Sequence, residues 1–404
     1  MGLSVPRGLL VLVALGLLPA CRSRTQAPVQ PPPRLSLLAV GDILMHQDVK
    51  AAAERSSNGF PALWADLVPL FREADLAFGN LETPIAPATG RPGVPFQFNA
   101  PATLPPALRA SGFTVLSTAN NHAFDQGHRG IRETLDRLRA EQLVAVGSGE
   151  DRPRAETVHI LERQGVKVAF LAFTDLLNVD LNRKATEPWV RPLDLEPACA
   201  AVREARLRAD LVVVSVHWGN EYQRQPTRRQ RDLARRLAEA GCDLILGHHP
   251  HVLQPAELLE TEGRKTLVAY SLGNFISNQD RMYRADLFPV AGGDSRDGAA
   301  LRAVFERRPG LDGRERVVLA EAAFDPLWTE NAWNEARAAR EIRVIRLIPA
   351  EARARAEVEA LSAPGEGPEP PARRQALLDK QEHLRTLILR RRRITEALGR
   401  AFVP

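Results

Sequence analysis

Cysteine is nearly absent, with three in 404 residues. That excludes a disulfide framework and a four-cysteine zinc site. A dominant charge of one sign is missing as well. Lys and Arg number 54 against 49 Asp and Glu, a net of +5, and the excess is local. Residues 372–404 hold nine basic and three acidic side chains, which leaves a net of −1 for everything before them. A near-neutral body offers no broad field for nucleic acid, so none is expected as a partner. No internal repeat is present. A 44% hydrophobic fraction beside 25% charged residues fits a globular protein and excludes wholesale disorder. The length suits two to three average domains, or one large domain with appendages.

The apolar run at residues 8–18 follows Arg7 and is short for a membrane span. It fits the hydrophobic region of a signal peptide. Leu18-Pro19-Ala20-Cys21 follows it and resembles a bacterial lipobox, in which the cysteine is acylated after cleavage. An ordinary secretory signal that contains a cysteine is the bland alternative. Residues 1–20 therefore read as a lipoprotein signal, Cys21 as the lipidation site and residues 21–34 as a proline-rich tether. The expected location is outside the cytoplasm, anchored to a bacterial membrane on its periplasmic or extracytoplasmic side. Cys199 and Cys242 read as inert core thiols.

The body alternates short apolar runs with amphipathic ones. Strands are expected at 35–40, 76–78, 114–117, 144–146, 166–173, 211–216, 244–246 and 267–270. Helices are expected at 63–71, 131–139, 195–208 and 228–239. That alternation implies an α/β protein with covered sheets. Strands at 300–306, 316–322 and 343–347 come without helices between them and suggest an added antiparallel section. Residues 363–371 are rich in proline and glycine and read as a linker; 373–400 reads as one basic helix. The expected division is a main domain at 35–350, followed by linker and C-terminal helix at 351–404. The helix's arginines suit an anionic surface, and a solvated helix packed by its Leu and Ile positions is the plainer reading.

Histidine placement is the sharpest signal. Of nine histidines, His46, His122, His217, His248, His249 and His251 each follow an apolar strand within a few residues. In open α/β sheets ligands bind at the carboxyl ends of strands. Asp42 closes the first strand, Asn80 and Glu82 the second, and Asn121, His122 and Asp125 follow the third. Each alone also reads as a cap or a turn. His248-His249-Pro250-His251 is stronger, because histidines at i and i+2 in a proline-stiffened turn both aim at one centre. Asp, Glu, Asn and neutral His together suit Mn²⁺, Fe²⁺ or Zn²⁺, and the donors exceed what one tetrahedral zinc needs. Two divalent ions bridged by a carboxylate would use them all.

In order and spacing, Gly41-Asp42, Gly79-Asn80-Leu81-Glu82, Asn121-His122 with Asp125 and Gly127, His217-Trp218-Gly219 with Glu221, His249-Pro250-His251 and Ser271-Leu272-Gly273-Asn274-Phe275 form one set. Over residues 35–280 this set resembles the CapA family of capsule and poly-γ-glutamate synthesis proteins. That family is similar in turn to calcineurin-like metallophosphatases. The resemblance implies a four-layer αββα sandwich with a C-terminal helical tail. It implies Asp42, Glu82, Asn121, His217, His249 and His251 as metal ligands, with Glu82 bridging. His122, oriented by Asp125, would stabilise the transition state or protonate a leaving group, and Glu221 would serve as base or support. Asn80, Trp218 and Asn274 would contact substrate. Against the metallophosphatase motifs, Leu44 stands at a usual histidine, Asn120 and His248 at usual glycines, and Ala123 at a usual acid. The implied substrate is an anionic polymer or a phosphoester, and the implied partners are capsule synthesis or export proteins. A non-catalytic polymer-binding or assembly factor and a general periplasmic phosphatase are the alternatives.

Overall fold

A computed structural model describes residues 1–2, 34–261, 263–284, 292–309, 315–363 and 370–403. The signal, lipidation and tether expectations, Cys21 included, fall outside these residues, as does most of the linker. In chain order the strands are β1 (Arg34–Ile43), β2 (Leu76–Leu81), β3 (Val115–Ser117), β4 (Val144–Val146), β5 (Ser148–Gly149), β6 (His159–Arg163), β7 (Val166–Thr174) and β8 (Trp189–Val190). They continue with β9 (Leu211–His217), β10 (Leu244–His248), β11 (Leu253–Thr261), β12 (Arg264–Leu272), β13 (Asn274–Ile276), β14 (Asp297–Pro309), β15 (Glu315–Asn334) and β16 (Ala339–Arg346). The α-helices are α1 (Gln47–Arg55), α2 (Phe60–Leu63), α3 (Val68–Glu73), α4 (Leu104–Ser111), α5 (Gly127–Ala140), α6 (Arg152–Ala155), α7 (Leu195–Arg208), α8 (Arg228–Glu239), α9 (Leu347–Ser362) and α10 (Pro371–Leu398).

An eight-stranded sheet runs β16-β15-β14-β1-β2-β3-β4, with β13 pairing β1; a six-stranded sheet runs β11-β12-β10-β9-β7-β6. Period-two alternation divides each strand between two layers. Leu35, Leu37 and Ala39 of β1 pack with Phe170, Val213, Leu246 and Ala269 of the other sheet. Leu38 and Val40 point the opposite way, against Trp64, Phe71, Leu104 and Leu108 of the helical layer. In the second sheet Val212, Val214 and Val216 pack on Ala198, Val202, Leu233 and Leu237 of α7 and α8. Three apolar layers between four structural layers make the αββα sandwich that the sequence led one to expect. Strands covered on both faces read as continuous apolar runs, and all seven residues of β9 are buried.

The antiparallel section does not stand apart. Residues 35–39 of β1 pair with 301–305 of β14, so it extends the first sheet from the middle strand outwards. The helix expected at 63–71 is broken at Trp64, because a proline at the start of α3 removes a backbone donor and begins a new helix. Helix α10 packs onto the main core through Leu387, Ile394 and Leu398. Its arginine run is occupied inside the protein: Arg390 meets Asp297 and Asp294, Arg391 meets Glu351, Arg392 meets Glu396 and Arg393 meets Asp294. Among the described residues no helix is long and apolar enough to cross a membrane.

Candidate metal centre

The parallel strands end together. Asp42 lies level with Asn80 and Asn274, and His217 with His248. Two glycines permit the convergence. A Cβ on Gly41 would stand 1.9 Å from Gly273 O, and one on Gly247 the same distance from Tyr270 O. The first approach lets Asp42 N–H donate to Gly273 O at 3.0 Å, which draws β1 against the β12–β13 turn. Beyond β10 the chain turns with φ of 95° at His249 and 55° at His251. Such conformations cost on the order of 1–3 kcal/mol each and persist where the surroundings over-determine them. Here Trp218 N–H donates to His248 O at 3.1 Å and Tyr222 N–H to Pro250 O at 2.8 Å.

Five of the six expected ligands form two buried triads, Asp42–Glu82–His217 and Glu82–His249–His251, with the donor atoms of each triad within 4.8 Å of one another. Glu82 belongs to both. Its Oε1 lies 3.5 Å from His217 Nε2 and 3.7 Å from His251 Nε2, yet it has no hydrogen-bond partner. His249 Nδ1 is likewise buried and unpartnered. Asn121 completes the set, with its Oδ1 2.8 Å from His217 Nε2. Asn80 donates toward His217 Nδ1 at 3.3 Å, which puts the ring proton on Nε2 in the cation-free protein.

The electrostatics are those of an anionic trough. Burial pushes the Glu82 carboxyl well above its ordinary value, and the charges of Asp42, Glu221 and Asp125 push it the same way. Burial works against Asp42 too, but the imidazoles of His248 and His251 outweigh it and hold that carboxyl well below the usual range. Burial lowers His217 well below its ordinary value and His249 to about 4, so both rings are neutral near pH 7. Neutral imidazole and ionised carboxylate are the forms that bind a divalent ion. An orphaned carboxylate oxygen, an orphaned imidazole nitrogen and convergent O and N donors fit such an ion.

Around this centre, His122 Nδ1 meets Asp125 Oδ2 at 2.8 Å, and Phe98 N–H donates to the same oxygen at 2.7 Å. The Phe98 ring packs edge-on against both His122 and His46. Burial, with His251 and His122 nearby, lowers His46 to about 4. Glu221 is exposed on the loop after β9.

The three residues expected to touch substrate are all buried. Trp218 is fully buried in the outer layer and donates its indole N–H to Tyr270 O at 2.9 Å. His217 faces the site, so period two sends its neighbour to the opposite face. Asn80 is buried beneath the carboxylates and donates to Asp42 Oδ1 at 2.8 Å. Asn274 is buried and holds His251, its Oδ1 3.1 Å from His251 Nδ1. His248, counted among the strand-end histidines, was left out of the implied ligand set. It is fully buried with Nδ1 3.2 Å from Asp42 Oδ1.

Residues 36–279 match the family model of the bacterial capsule synthesis protein PGA_cap. The chain is 37% identical over 250 residues to the PGA biosynthesis protein CapA of Bacillus subtilis (strain 168), covering 61% of this chain and 64% of that one. It is 32% identical over 254 residues to the capsule biosynthesis protein CapA of Bacillus anthracis, covering 61% and 60%. The chain thus spans less than two thirds of either relative. Among solved structures, a novel phosphatase from Mycoplasma pneumoniae is similar at 14% identity, covering 73% of this chain and 94% of that one, with a TM-score of 0.41. A 5′-nucleotidase precursor from Thermus thermophilus is similar at 15% identity, covering 76% and 56%, with a TM-score of 0.42. On the family match, which takes in every proposed ligand, this chain belongs to the bacterial capsule synthesis protein family PGA_cap.

Proposed function

We propose that this protein acts in the synthesis or export of an extracellular polyanion such as poly-γ-glutamate, as a metal-dependent hydrolase anchored by a lipid on Cys21. The observation that carries the hydrolase reading is Glu82, one buried carboxylate shared by two donor triads. Its sharing supports two divalent ions, of Mn, Fe or Zn, over one. The family relatives support the polymer, and the apolar run before Cys21 supports export and anchoring.

When bound, the ions supply Lewis acidity to a phosphoryl or acyl oxygen. The chain's own residues do the rest. Asp42, Glu82, Asn121, His217, His249 and His251 hold and orient the ions. Asp125 fixes the His122 ring through Nδ1, which leaves Nε2 to pass a proton to the departing oxygen or nitrogen. Asn80 and Asn274 keep Asp42 and His251 aimed. Glu221, exposed at the rim, biases the trough toward cations through its field on Glu82.

The test is elemental analysis of wild type and His249→Ala purified without chelators. Phosphomonoester, phosphodiester and γ-glutamyl amide hydrolysis are then assayed with added Mn²⁺. Stoichiometric transition metal in wild type, reduced in the variant, and turnover lost in His122→Ala support the hydrolase. Absence of metal from both proteins defeats the metal reading. Metal without turnover, together with retained polymer binding, turns the protein into a binding or assembly factor.

A further inference from the structure

Arg390 of α10 lies far beyond the family-matched segment and is fully buried. Its Nε donates to Asp297 Oδ1 at 2.9 Å, and Nη2 donates to Asp297 Oδ2 and, at 2.9 Å, to Asp294 Oδ1. Nη1 donates to Gly292 O at 3.2 Å. The guanidinium carbon stands 4.9 Å from the Trp328 ring centre and 5.5 Å from that of Tyr283. Arg393 grips Asp294 with two more hydrogen bonds. From the other side Arg224, on the loop that follows His217, approaches Asp294 Oδ2 at 3.7 Å.

The clamped residues form the short turn Asp294–Arg296 and the start of β14. That turn touches the site. Asn274 Nδ2 donates to Ser295 O at 2.7 Å, while Asn274 Oδ1 lies 3.1 Å from His251 Nδ1. An unbroken series of polar contacts therefore runs from Arg390 through Asp294 and Asp297 to the turn, to Asn274, and to a proposed ligand.

Helix docking does not account for this arrangement. Leu387, Ile394 and Leu398 already seat α10 in the core. A buried ion pair is often no better than apolar residues of the same volume, because desolvation offsets the Coulomb gain. Burial holds the Asp297 carboxyl up at about 7 against the opposing pull of Arg390, and both carboxylate oxygens accept from the guanidinium. What a planar guanidinium fork adds over an apolar plug is direction.

We infer that Arg390 is a positioning residue of the metal centre, holding the Asp294–Arg296 turn so that Asn274 fixes the His251 ring. The step to the metal rests on the function proposed above; the step to the turn does not. Groups that orient first ligands are typically worth about 10–100-fold in metal affinity.

The test compares wild type, Arg390→Lys, the double variant Arg390→Met with Asp297→Asn, and Leu387→Ala. The double variant removes both buried charges and so strands neither. Leu387→Ala loosens the same helix without touching the clamp. Mn²⁺ affinity is measured by titration calorimetry, and amide exchange at residues 274–276 and 294–298 is followed in the metal-free proteins. The double variant is expected to bind Mn²⁺ about 10–100-fold more weakly and to exchange faster at both segments. Arg390→Lys, which keeps the charge without the fork, falls between it and wild type. Leu387→Ala keeps wild-type affinity despite a lower melting temperature. Unchanged exchange in the double variant and in Arg390→Lys overturns the inference, as does an equal loss of affinity in Leu387→Ala. Wild type that binds no Mn²⁺ defeats the metal reading instead, and exchange alone then decides for or against the clamp.

Discussion

Replacing Glu82 by Gln separates what this residue costs the empty protein from what it does for a cation. In the empty protein the carboxylate is fully buried and Oε1 has no partner. An unsatisfied buried polar atom costs about 1–3 kcal/mol, and more when charged. Glu82→Gln is isosteric and removes the ionisable group, so the metal-free variant should be more stable than wild type by about that amount near pH 7.5. The pH sign follows from the raised carboxyl. The contribution of Glu82 to stability is fully present below its unfolded value, ordinarily near 4.5, and is lost as pH rises through the higher folded value. The advantage of the variant should therefore vanish near pH 4.5 and open as pH rises. With Mn²⁺ at 1,000 times its dissociation constant, wild type gains about 4.1 kcal/mol. The variant has lost a donor common to both triads and gains almost nothing. Differential scanning calorimetry after chelation, with and without Mn²⁺, reads both effects. The two proteins should exchange rank, the variant melting higher without metal and lower with it. A metal-free variant that melts below wild type at pH 7.5, or one that keeps the full Mn²⁺ shift, refutes the reasoning.

Gly247→Ala should lose more than the roughly 1–3 kcal/mol of ordinary overpacking, because the added carbon meets Tyr270 O at 1.9 Å; Gly165→Ala meets open space and should lose only the strain of its φ of 69°, about 1–2 kcal/mol, in the same denaturant titration. Asp125→Asn should lower turnover about 10–100-fold while leaving metal content unchanged, and an equal fall in metal content would reject the separate role given to His122. Trp218→Phe removes one indole hydrogen bond and should cost about 1 kcal/mol of stability with no change in KM; a raised KM would return Trp218 to the substrate. Truncation after residue 363 uncovers the sites of Leu387, Ile394 and Leu398, each worth roughly 1.5–3 kcal/mol of burial. The product should bind hydrophobic dyes and aggregate, whereas a cooperative melt like that of wild type would show α10 to be an appendage.

The convergence of the proposed ligands was legible because their residue types have few packing uses and because apolar strands announced their own ends. The supporting residues were not, since Asn80 and Asn274 carry the same amides that turns use, and only the register of β1 against β2 and β13 shows which atoms they hold. The place of Trp218 was not legible from the resemblance, because alternation sends His217 and Trp218 to opposite faces. Strand β11 escaped because it lies at a sheet edge, carries Pro255 and is only partly buried, so neither of the strand patterns is clean. The sequence favoured a helix packed by its Leu and Ile positions, with its arginines solvated, because their partners Asp294, Asp297 and Glu351 are distant in sequence. Pairing of that kind follows from tertiary contact and leaves no local trace.

The position of β1 also bears on how the protein is made. Its residue Ala39 lies between Phe78 on one side and Leu301 on the other. The first partner is synthesised soon after β1, but the second arrives only when three quarters of the chain exists. Until then the strand that carries Asp42 presents an unpaired apolar edge, the condition under which nascent chains aggregate or recruit chaperones. Closure must also wait for α10, because Arg390 and the last leucines are among the final residues to emerge. A chain cut short before β14 would thus hold every proposed ligand while β1 still lacked its antiparallel partner.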